Sequence, residues 1–237
     1  MKKKIFALGV LLTSTTLLGG GSVFAAQAGT TPVPAQGQTG VTATFTAPNT
    51  TNPLPPGVTD PVVPGGPTGS FGLAYVPKGM SFADDLSTGA MSIQAKDVAG
   101  TSAYGTTHVG VKDTTFNTKG WDLTAQLNWT GSAVAGAEIQ MTPGTVKENQ
   151  NDGITPFNPA SDLVAPGVGS GAFVVPGSAF KINSTGATSV LKANDGNVYT
   201  GTYDLELSNI SLEIPNGSVV SAGNYSGNID WNLSLNP

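Results

Sequence analysis

The alternation in the middle of the chain constrains the fold more than any other feature. Trp121, Leu123, Ala125, Leu127 and Trp129 are interleaved with Asp122, Thr124, Gln126 and Asn128, so a strand there presents one apolar and one polar face. A helix, with its period of 3.6 residues, cannot gather those apolar side chains on one side. The chain ends on the same pattern: Ile229, Trp231, Leu233 and Leu235 alternate with Asp230, Asn232, Ser234 and Asn236. An apolar strand face has to be covered, and two such strands predict packed β layers.

Weaker signals agree. Tyr203, Leu205 and Leu207 share one parity, whereas Ile210, Leu212 and Ile214 share the other, which demands a bulge or bend near Ser208 and Asn209. Asn194-Asp195-Gly196-Asn197 reads as a hairpin turn between Val190-Leu191 and Val198-Tyr199, with Gly196 at positive φ. The Pro/Gly/Asn-rich stretch from Thr142 to Pro176 reads as surface loop, and within it the polar run Lys147 to Asp152 as solvated. With 32 Gly, 17 Pro and only 11% charged residues, long surface helices are disfavoured. The expectation is an all-β fold: a single β-sandwich-like domain over residues 71–237 with long Pro/Gly-rich loops. Residues 26–70 form a Pro/Thr/Gly-rich segment. In it, Val41, Ala43 and Phe45 alternate with Thr42, Thr44 and Thr46, predicting one strand, about residues 40–46, that joins the sheet.

The first residues read as an export signal spanning 1–25. Lys2, Lys3 and Lys4 form a cationic start, Ile5 to Leu18 is mostly apolar, and small residues suit cleavage after Ala25 or Ala28. No later stretch approaches the roughly 20 apolar residues that span a bilayer, so a secreted chain without a direct membrane anchor is expected. Cysteine is absent, which removes disulfides and leaves burial and strand pairing to supply stability. Ten Lys, no Arg and 15 acids give a formal charge of −5. Removing three lysines with the signal makes it 7 − 15 = −8, a surface that repels nucleic acid and other polyanions.

Catalytic patterns are poor. His108 is the one histidine, no Gly-x-Ser-x-Gly turn accompanies it, and it reads as an ordinary strand or turn residue. Asp84-Asp85 and Asp195 are possible hard-ion ligands, but they read better as turn and cap residues. Gly167 to Ala172 meets the loosest dinucleotide pattern without the βα context that pattern needs. No acid sits in a recognisable glycosidase context. The expectation is a non-enzymatic protein without catalytic residues, metal or cofactor.

Gly120-Trp121-Asp122-Leu123, Ile214-Pro215-Asn216-Gly217, Ala222-Gly223-Asn224-Tyr225 and Ile229-Asp230-Trp231-Asn232-Leu233 together closely resemble the WxL surface-domain family of Gram-positive bacteria. So do the Pro-rich early region and the Tyr75-Val76-Pro77 to Phe82 segment, although Phe82-Ala83 stands where Phe-Gly is common. The resemblance covers essentially the whole chain after the signal. It implies a β-sandwich-like domain at the extracellular cell-wall surface, holding peptidoglycan or another cell-wall polymer without a covalent link. It also implies surface complexes with membrane-anchored companion proteins, which an exposed strand edge could engage.

Trp121, Leu123, Trp231 and Leu233 are the candidate binding residues. As aromatic platforms the two Trp would stack on sugars or a partner. As members of an apolar parity they would instead pack in a core, because exposing one exposes the whole stripe.

Overall fold

The computed structural model describes residues 39–45, 51–56, 63–64, 69–169 and 171–237; the expected signal segment lies outside them. By its internal contacts the chain separates into residues 1–44 and 45–237, and every strand among the described residues belongs to the second unit. In chain order the strands are β1 (Val63–Pro64), β2 (Phe71–Val76), β3 (Met91–Gln94), β4 (Thr107–Asp113), β5 (Trp121–Thr130), β6 (Glu138–Pro143) and β7 (Lys147–Asn149). A single helical turn, α1 (Pro159–Asp162), precedes β8 (Leu163–Val164), β9 (Phe173–Val174), β10 (Phe180–Ile182), β11 (Thr188–Ala193), β12 (Gly201–Ile214) and β13 (Ser226–Leu235).

These strands make two antiparallel sheets. The larger runs β1-β2-β4-β12-β6-β10, with β3, β7 and β8 joined at its margins, and the smaller runs β13-β5-β11-β9. Val109, Val111, Leu205 and Leu207 from the first meet Trp121, Leu123, Val190 and Leu191 from the second in one buried cluster. The all-β sandwich expected from the alternation is the fold observed.

β12 shows how one strand serves two surroundings. Its pairing with β6 shifts register between Ser208 and Ser211, and Asn209 takes φ 49°. That one-residue bulge returns Ile210, Leu212 and Ile214 to the core after Tyr203, Leu205 and Leu207, as the parity switch requires. Asn tolerates the left-handed conformation better than most residues because its short side chain can bond locally.

Three expectations are corrected. Residues 40–45 form no strand: they are exposed, Val41 at 88% and Phe45 at 92%, while Thr46 lies outside the described residues. Alternation gives a segment the capacity to pair, but without a neighbouring strand it can neither bond its backbone nor bury its face. Val198-Tyr199 is not a strand, and the turn at Asn194 to Asn197 is no hairpin. Gly196 does take φ 89°, yet the turn carries the chain from β11 in one sheet towards β12 in the other.

Finally, the stretch Thr142 to Pro176 is not all loop. It contains the end of β6, then β7, α1, β8 and β9. Polar Lys147 to Asn149 form a strand because their backbones pair with β12 and β8, and Asn149 is buried by donating from Nδ2 to the Leu54 carbonyl at 2.8 Å. The segment 51–56 is thereby held to the outer face of the larger sheet, with Leu54 N–H donating to Asn151 Oδ1 at 3.0 Å.

Candidate functional site

The two Trp-x-Leu segments lie side by side. β5 and β13 pair antiparallel with Trp121 opposite Leu235, Leu123 opposite Leu233 and Ala125 opposite Trp231. Directly opposed residues point to the same face, so all four candidate residues line the inner face of the smaller sheet and cross at Leu123–Leu233.

Their neighbours in sequence latch this crossing. A Cβ on Gly120 would sit 2.1 Å from the Ala193 carbonyl oxygen, so only glycine fits before Trp121. Gly120 N–H donates to Asp195 Oδ1 at 2.6 Å, and Asn236 Nδ2 donates to the same oxygen at 3.2 Å. Asn236 N–H also donates to the Gly120 carbonyl at 2.9 Å. Asp195 therefore ties the start of β5 to the end of β13. The Gly120 backbone bond, followed by that from Asn236, holds its carboxyl below the ordinary aspartate range. Asp195 thus serves the fold, joining two strand ends.

Depth separates the four residues. Trp121 and Leu123 are wholly buried, Trp121 among the rings of Phe173, Tyr199 and Tyr203 at centroid separations of 6.1, 6.2 and 6.4 Å. Trp231 and Leu233 are only partly buried, because β13 is the last strand of its sheet.

Trp231 opens onto a groove of about 900 Å³ at one end of the sandwich, walled by residues 76–86 on one side and 220–231 on the other. Leu127, Ile139 and Leu212 contribute apolar surface to it. Trp129 and Tyr225 also line it, their rings edge-on at 76° with centroids 6.4 Å apart. The Trp129 indole N–H is buried without a hydrogen-bond partner among the described residues. Asp84 and Asp85 stand exposed on the rim. Aromatic faces and few charges suit an uncharged amphipathic ligand such as a sugar or short peptide.

Trp129 and Tyr225 were not among the four candidates. Trp129 shares the parity of Trp121 and Tyr225 sits in one of the family-like segments, but nothing in the sequence brings the two together.

The other concentration of polar side chains is buried in the larger sheet. His108 is buried, with Nδ1 2.9 Å from Asp204 Oδ1, and the Tyr75 hydroxyl donates to Asp204 Oδ2 at 2.8 Å. Asn149 Nδ2 donates to the Tyr75 oxygen at 3.2 Å. Tyr75 lies flat over Gly110, where a Cβ would come within 2.4 Å of its ring. Burial, then the Asp204 charge, pushes the Tyr75 hydroxyl well above its usual pKa. The network joins β2, β4, β7 and β12 under segment 51–56. No cluster of three or more metal-binding side chains occurs among the described residues.

Neither a curated protein nor a solved structure matches the chain. A family model described as "WxL domain surface cell wall-binding" matches residues 32–237, a span that takes in both latched Trp-x-Leu strands, the segment 51–56 and both walls of the groove. The chain belongs to the WxL family of cell-surface, cell-wall-binding domains.

Proposed function

We propose that this wall-binding protein is exported with removal of residues 1–25 or 1–28, attaches non-covalently to peptidoglycan, and makes the contact in the groove beside Trp231. The observation that carries the proposal is the unequal depth of the two motifs. Trp121 is spent on the core, whereas Trp231, Trp129 and Tyr225 offer aromatic surface at an opening large enough for a sugar or peptide unit.

The net charge constrains the mechanism. Anionic wall polymers are repelled by an acidic chain, so attachment rests on stacking, apolar contact and hydrogen bonds, which salt screens little. Purified protein incubated with bare peptidoglycan, stripped of proteins and anionic polymers, is expected to sediment with it and to stay bound at about 0.5 M salt, where the Debye length falls to a few ångström. Failure to bind without a membrane-anchored companion protein, or complete release by salt, contradicts the proposal.

A further inference from the structure

The groove beside Trp231 has a long axis set by strand register. In the pairing of β5 with β13, Trp231 stands opposite Ala125 and Gly227 opposite Trp129, so the two indoles share the inner face four residues apart. At about 3.4 Å per residue the separation is about 13 Å, longer than a single hexose ring.

Gly227 keeps the Trp129 end open. It brings no side chain beside the indole, and a Cβ there would come within 2.6 Å of the Asn128 carbonyl oxygen, so a larger residue does not fit without moving the backbone. Tyr225 completes this end. Its hydroxyl donates to the Ser221 carbonyl at 2.9 Å, and its ring stands edge-on to Trp129.

The polar lining selects against charge. Ser221, Asn224, Ser226 and Asn228 line the 220–231 wall and are exposed, and their hydroxyls and carboxamides both donate and accept hydrogen bonds. Among the described lining residues, charge is confined to Lys78, Asp84 and Asp85 on the opposite wall. The chain has no Arg, the side chain whose planar fork fits a carboxylate. A wall peptide, which carries carboxylates, meets two acids and one base here. Hydroxyl and acetamido groups meet neutral partners that match them in both donor and acceptor roles.

Resting on the reading that this groove is the wall contact, we propose that it takes the glycan strand of peptidoglycan, a run of N-acetylated hexose units, and not the peptide stem. Sugar rings stack on Trp231 and Trp129, whose flat faces suit the apolar side of a ring. Acetamido groups exchange hydrogen bonds with the Ser and Asn wall, and their methyls meet Leu127, Ile139 and Leu212. Two platforms about 13 Å apart need several linked units to span them, so affinity rises with chain length.

Titration of the chain beginning at Ala26 with soluble N-acetylglucosamine oligomers, and separately with sugar-free stem peptide, tests this by tryptophan fluorescence. The tetramer is expected to bind at least about tenfold more tightly than the monomer, than a glucose tetramer and than the stem peptide. Asn224→Ala/Asn228→Ala alters two exposed residues and should weaken the tetramer at least about tenfold at an unchanged melting temperature. A tetramer that binds no better than the monomer, or a stem peptide that binds as tightly as the tetramer, overturns the choice of glycan. In either case, continued sedimentation with bare peptidoglycan leaves wall attachment standing, whereas its loss removes both readings.

Discussion

At the residue scale, the two tryptophans have different work although their motifs read alike. Trp121 fills the space between the sheets, so Trp121→Ala should cost about 3–5 kcal/mol, the range for a large buried aromatic, and lower the denaturant midpoint accordingly. Trp231→Ala should cost clearly less, because its ring is already part-solvated. Asp195 gives a second prediction. Its carboxyl titrates below the ordinary range because Gly120 and Asn236 donate to it, so its contribution is present above the unfolded pKa of about 4 and is lost as pH falls through the lower folded value. Asp195→Asn should therefore flatten the loss of melting temperature below about pH 4 relative to wild type; an identical acid profile would show that the latch does not hold the two strands. Alternation made the inward direction of both tryptophans legible in the sequence. Their unequal depth was not, since it depends on β13 ending its sheet.

At the element scale, what could be read were the strands with two distinct faces. β5, β12 and β13 are strands of ten or more residues with alternating apolar side chains, and the switch of parity in β12 located its bulge near Ser208 and Asn209, of which Asn209 takes positive φ. Asn209→Val should cost about 1–2 kcal/mol, because a β-branched side chain resists the left-handed conformation, with urea unfolding as the readout. The short strands β7 and β8 were illegible for a different reason. β7 and β8 are strands because of the backbones beside them, and Asn149 is buried because Tyr75 and Leu54 supply partners. Residues 40–45 show the converse, a strand pattern without a strand, since pairing needs a neighbour that local sequence does not specify. The turn at Asn194 was recognisable by Gly196, but its destination in the other sheet was set by the packing of β12.

At the scale of the whole molecule, the groove is a product of topology. Residues 76–86 and 220–231 are far apart in sequence and meet because β2 and β13 come together at one end of the sandwich. A strand pattern shows which face a residue takes, and it cannot show where two sheets part. The latch at Gly120, Asp195 and Asn236 keeps the Trp-x-Leu crossing in register, while the parting of the sheets at the opposite end of β5 leaves Trp129 and Trp231 available. On this account the Trp-x-Leu pair is first a packing device, and one of its rings is also a contact. The most direct measurement is a binding isotherm for bare peptidoglycan with wild type, Trp231→Ala and Trp121→Phe, each first shown to be folded by its melting curve. The account predicts at least about tenfold weaker binding for Trp231→Ala, equivalent to about 1.4 kcal/mol, and near-wild-type binding for Trp121→Phe. Equal affinity of Trp231→Ala and wild type would contradict it.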